Sequence, residues 1–348
     1  MRRPSARRIT ALVAAGLLLP VLAACGSGDG KGGSADGGDS ALVIYSGRNE
    51  KLVKPILDEL EKAVGTEVEV RYGDSAELAA QILEEGDRTK ADLFFSQDAG
   101  ALGALSKEGV LAKLPQSSLD AVDEAYRGGA GDWVGLSGRV RVIAYNPDEV
   151  AEEKVPDRVA DVVKPEWKGK VGFAPTNASF QAFVTGMRVL EGDDATRAWL
   201  EGLKANGKVY TNNLATLDAV ESGEVSLGLV NHYYWYERVA EKGEDNVDAR
   251  LSFLPGGDPG ALVNVAGVGV LKDTGQSETA RKAVDYLLSK KAQTYFADET
   301  KEYPLAAGVT SSVEDLPPLD SLESPDIDLG KLESLQETLA MLQDAGLV

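Results

Sequence analysis

One short stretch, Asn231-His232-Tyr233-Tyr234-Trp235-Tyr236-Glu237, concentrates the side chains best suited to metal chemistry. Protonated phenols are weak ligands, with a free pKa near ~10. A hard, highly charged cation reverses this, because its field favours the phenolate. Two adjacent tyrosines therefore read as half of a ferric site. Aromatic clusters at strand ends also pack at a core rim with their hydroxyls in water, and the stretch alone permits either role. His232 is the single histidine of the chain; it could hydrogen-bond, ligate a metal or pack.

The elements around this stretch should hold it at a strand-to-helix junction, where α/β proteins tend to bind ligands. Val225-Ser226-Leu227-Gly228-Leu229-Val230 reads as a buried strand. Arg238 to Lys242 reads as a short helix stopped by Gly243. Ser46-Gly47-Arg48-Asn49, Ser96-Gln97-Asp98, Thr176-Asn177-Ala178-Ser179 and Asn212-Asn213 are also polar turns at helix starts. Each is explained by capping alone. If several converged on one cleft, their free N–H groups would bind an anion.

Three strand-helix units open the globular part. Ala41–Tyr45, Val68–Tyr72 and Ala91–Phe95 are short strands. The intervening helices carry Leu52, Val53, Ile56, Leu57 and Leu60, then Leu78, Ile82 and Leu83, and finally Leu102 and Leu105 before Gly109. Such a succession predicts a mostly parallel α/β lobe. The long extended runs Trp133–Tyr145 and Ala261–Leu271 could leave that lobe and return to it. The expected architecture is thus two hinged, discontinuous lobes. Residues 41–139 with 264–314 form the first, and 140–263 with 315–348 the second. A last helix, Leu332 to Leu342, should face inward through Leu335, Leu339 and Leu342.

The first residues read as an address. Arg2, Arg3, Arg7 and Arg8 precede an apolar run from Ile9 to Leu22, giving a secretory leader over residues 1–24. Leu22-Ala23-Ala24-Cys25 resembles a bacterial lipobox, which implies cleavage before Cys25 and lipidation of its thiol, with residues 25–40 as a Gly/Ser/Asp tether. Cys25 is the only cysteine, so neither a disulfide nor a thiolate metal site is expected. The formal charge of −20 argues against nucleic acid as a partner. The chain is expected to act as a monomer on the outer face of the cell membrane.

Enzyme chemistry finds little support. With one histidine there is no Gly-x-Ser-x-Gly or His-Glu-x-x-His motif. Pairs such as Glu84-Glu85 and Asp193-Asp194 read as solvated faces. A secreted hydrolase using two facing carboxylates is the alternative from another class.

Six segments, in order, resemble bacterial ferric iron ABC-transporter substrate-binding proteins. They are Tyr45–Glu50, Ala91–Asp98, Trp133–Arg139, Ala174–Phe180, Val230–Tyr234 and Glu302–Leu305. The resemblance implies a periplasmic-binding-protein type II fold closing over ferric iron, often with carbonate or phosphate, and delivery to an ABC permease. It makes Tyr233 and Tyr234 the metal ligands. It places Asn177, Ala178, Ser179, Asn213, Asn231 and Arg139 at the anion. Asn49 and Gln97 stand where some members carry histidine and glutamate, and Phe180 where others carry a third tyrosine. The first lobe therefore offers Arg48, Asn49, Gln97 and Asp98 as cleft candidates. A binder of an anion or phosphonate-type solute on the same fold is the nearest rival.

Overall fold

In the computed structural model, residues 41–348 are described. The leader, Cys25 and the tether lie outside the described residues. The strands are β1 (Leu42–Ser46), β2 (Val68–Tyr72), β3 (Leu93–Ser96), β4 (Trp133–Tyr145) and β5 (Val171–Phe173). They continue with β6 (Gly207–Val209), β7 (Leu227–Asn231), β8 (Arg250–Ser252), β9 (Val263–Val270) and β10 (Tyr303–Pro304). Their order in one mixed sheet is β2-β1-β3-β9-β4-β7-β5-β6, with β8 and β10 also on β4. β1 pairs parallel with both β2 and β3, as successive strand-helix units require.

β4 joins the two halves of this sheet. Trp133 to Val140 pairs antiparallel with β9, whereas Arg141 to Tyr145 pairs antiparallel with β7. Asn264 therefore stands opposite Arg139, and Asn231 opposite Arg141. All thirteen residues of β4 are buried, as befits a central strand, Ser137, Arg139 and Arg141 among them.

The core follows the same division. Leu42 to Leu136 and Leu262 to Leu305 supply most of one cluster. The second half of the sheet is covered on both faces. Ile143 and Tyr145 pack with Phe173, Phe180 and Trp199, while Val142 and Ala144 pack with Val230, Trp235 and Tyr236. This is the period-two alternation of a strand. The C-terminal tail spans both regions: Leu329 and Leu332 enter the first cluster, and Met341, Leu342 and Leu347 the second.

Three local expectations need correction. The helix of Tyr233–Lys242 starts at Tyr233 rather than at Arg238, ending at Gly243 with φ of 81°. Aromatic residues favour strands as local sequence. Here Trp235 Nε1 donates to the Ala249 carbonyl at 2.8 Å and the Tyr236 hydroxyl to that of Asp315 at 3.0 Å, so tertiary packing decides. Leu83 is 38% exposed instead of inward. The last helix, Leu335–Asp344, buries Thr338, Met341 and Leu342. Leu335 and Leu339 instead line a surface cavity, because Thr338 turns in to share a hydrogen bond of 2.8 Å with Thr185.

Candidate functional site

Tyr233 and Tyr234 form the first turn of their helix, directly after the buried strand β7. Their rings lie 4.2 Å apart between centroids and tilt by 33°. Tyr233 is buried and Tyr234 half-buried. Both face a cleft of about 450 Å³, with Glu237 beside them and Arg48, Asn49, Lys51 and Gln97 on the opposite wall. Burial drives the Tyr233 phenol well above its ordinary pKa, Tyr234 adds to this, and Arg139 opposes it. An unpaired phenolate is thus costly here until a cation arrives.

Arg48 is fixed in the opposite wall by a buried carboxylate. Its Nη2 lies 2.9 Å from Glu302 Oε2, and its Nη1 donates to Gln97 Oε1 at 2.8 Å. Ser137 Oγ donates to the same carboxylate. Burial alone would raise the Glu302 pKa, but Arg48, Arg139 and Ser137 together hold it below the ordinary carboxylate range. Removing one partner of a buried charge pair costs about 3–5 kcal/mol, since the other is left uncompensated. Glu302→Gln is therefore expected to destabilise the iron-free protein by roughly 3 kcal/mol or more, measured by urea unfolding. An unchanged midpoint would show that the network carries no such load.

Behind the cleft lies a small chamber of about 20 Å³, room for about one water molecule. Gln97, Asp98, Arg139, Arg141, Ala178, Ser179 and Asn231 line it. Arg139 and Arg141 are two apart on β4 and so share a face. Arg141 donates to Ser179 Oγ at 3.3 Å, Asn231 Oδ1 at 3.1 Å and the Leu229 carbonyl at 2.8 Å, all neutral acceptors. Arg139 donates to the Gln97 carbonyl, and its Nε has no partner among the described residues. Burial lowers both guanidinium pKa values, that of Arg141 to about 10. Neither arginine makes an ion pair among the described residues, although Asp98 lines the same space and Glu302 acts on Arg139 at longer range, so the two buried cations are suited to an oxyanion.

Asn177 and Asn213 stand one layer behind. Asn213 Nδ2 donates to Ser179 Oγ at 3.0 Å and to Asn177 Oδ1 at 3.1 Å, while Asn177 caps the helix of Ala178–Glu191. The structure thus brings Ala178, Ser179, Asn231 and Arg139 to the chamber and leaves Asn177 and Asn213 as supports. Asn49 is an exposed helix cap accepting from the Lys51 N–H at 3.0 Å. Asp98 caps its own helix by accepting from the Ala101 N–H at 3.1 Å, and burial raises its pKa. Phe180 is wholly buried against Phe173 and Trp199.

His232 packs and hydrogen-bonds, fully buried. Its Nδ1 accepts from the Val140 N–H at 3.3 Å, so Nε2 carries the proton and donates to the Lys301 carbonyl at 3.0 Å. Burial pushes its pKa down to about 4.

Sequence reasoning missed Arg141, Glu302 and Glu237. Arg141 had a signal: Arg139-Val140-Arg141 places two cations on one face of an apolar strand. Glu302 opens one of the matched segments, but nothing in the sequence ties it to Arg48, 254 residues away.

Two half-sheets sharing one long crossing strand, with polar turns converging between them, are the type II periplasmic-binding-protein fold. Bacterial extracellular solute-binding proteins on this fold act in transport and are not enzymes. Residues 88–328 match the family of bacterial extracellular solute-binding proteins, and this chain belongs to it. The major ferric iron-binding protein of Neisseria meningitidis serogroup B is 36% identical over 311 residues, 88% of this chain and 93% of that protein. Iron-bound HitA from Pseudomonas aeruginosa matches with a TM-score of 0.82 at 37% identity, over 88% of this chain and 99% of that one. The Trichodesmium protein (IdiA) (FutA) in complex with iron and citrate matches with a TM-score of 0.76 at 25% identity, over 89% and 100%.

Proposed function

We propose that this protein captures ferric iron on Tyr233 and Tyr234 and hands it to an ABC permease. The observation that carries this reading is the stacked tyrosine pair opening on a 450 Å³ cleft. Similarity to ferric iron-binding proteins over most of both chains supports it. Carbonate or phosphate binds at Arg139, Arg141, Ser179 and Asn231, where the chamber widens beyond its present one-water volume as the lobes open, and completes the metal's coordination. The lobes, residues 41–139 with 264–314 and 140–263 with 315–348, close about β4 and β9. Cys25 carries the lipid that holds the protein at the outer face of the membrane, where it works as a monomer.

A thermal unfolding series tests the joint binding of iron and anion. A ligand that binds only the folded state stabilises it by about 2.7 kcal/mol at a hundred times its Kd. Ferric nitrilotriacetate should raise the midpoint by several degrees, and further with bicarbonate or phosphate present. Arg141→Met should lose the anion's increment and keep part of the iron's. The paired arginines also favour a second reading, an anion as the solute itself. A rise with phosphate alone and none with iron would establish that reading instead.

A further inference from the structure

We propose that Glu237 is a third protein ligand to the metal, a carboxylate supplied by the same helix as the tyrosine pair. The inference rests on ferric binding at Tyr233 and Tyr234. Glu237 follows those residues at i+4 and i+3 on the helix of Tyr233–Lys242, so it shares their face. Helical side chains lean towards the N-terminus, which directs Glu237 back over the first turn. It lines the same cleft as both phenols and is the one carboxylate doing so among the described residues.

The opposite wall has no comparable donor to offer. Gln97 gives its amide oxygen to Arg48, and Asn49 gives its own to the Lys51 N–H. The Glu302 carboxylate is 1% exposed and already engaged by Arg48 and Ser137. Glu237, by contrast, is half-buried and makes no hydrogen bond or ion pair among the described residues. Burial accordingly pushes its pKa up to about 7. A hard trivalent cation prefers anionic oxygen. Two phenolates and one carboxylate would neutralise it within a half-buried cleft.

The test is Glu237→Gln, which keeps the shape and removes the charge. Ferric affinity is read by chelator competition, together with the visible tyrosinate absorption and the unfolding of the iron-free protein. We expect affinity to fall by ~100-fold, at the upper end of what supporting groups cost at metal sites. The absorption should persist at a shifted wavelength, and iron-free unfolding should occur at or above the parent's temperature because an unpaired charge is gone. Unchanged affinity and wavelength would overturn the assignment and leave the tyrosine ligands standing. A parent protein with no iron-dependent absorption would overturn both.

Discussion

Replacing Tyr233 and Tyr234 together by phenylalanine is expected to weaken ferric binding by ~10⁴-fold or more. Groups that only orient a ligand are already worth roughly 10–100-fold in metal affinity, so losing two ligands must cost more. Phenylalanine keeps both rings, their 4.2 Å stack and the edge contact of Tyr233 with His232. The double variant should therefore fold as the parent does, and only the oxygen donors disappear. Competition against a chelator of known ferric affinity measures the loss. An affinity within tenfold of the parent's would remove the tyrosines from the metal.

The second large effect is on pH. Phenols are protonated at neutral pH, and burial makes the Tyr233 proton harder still to remove. Metal binding must displace one proton from each phenol, and every proton released makes affinity fall tenfold per unit of pH lost. From pH 8 to pH 6 the two phenols alone should lower the affinity by about 10⁴-fold, after correction for the chelator's own protonation, and Glu237 as a third ligand would add to the fall. The window matters because of His232. Its pKa is about 4 in the folded protein against an ordinary 6.5, so protonation favours unfolding and stability is lost as pH falls below about 6.5. Above pH 6 the titration reports mainly the metal site. A flat profile would mean that phenolates do not bind the iron.

Much of this geometry is legible in the sequence because it depends on local patterns. The thirteen-residue extended run Trp133–Tyr145 is one strand, and it is the strand shared by both half-sheets. Asn49, Asp98, Asn177 and Asn212 each cap the helix that their position predicts. Other features depend on distant partners. The Arg48–Glu302 pair closes over 254 residues, and neither residue signals the other. Glu237 was hidden by one misplaced boundary. With a helix beginning at Arg238 it belongs to a junction, whereas a helix beginning at Tyr233 puts it on the face of the tyrosines. That start is set by where Trp235 and Tyr236 are buried, a tertiary fact that strand propensity opposes. The lipidation of Cys25 has to be tested on the intact chain, since it lies outside the described residues.

The most direct measurement is a visible absorption titration of the mature protein, stripped of metal at low pH and returned to pH 8 with ferric citrate. A broad ferric–tyrosinate band that grows and saturates near one equivalent, and is absent from the double phenylalanine variant, is the result this account predicts. A spectrum that stays flat as iron is added, with the protein folded throughout, would contradict it.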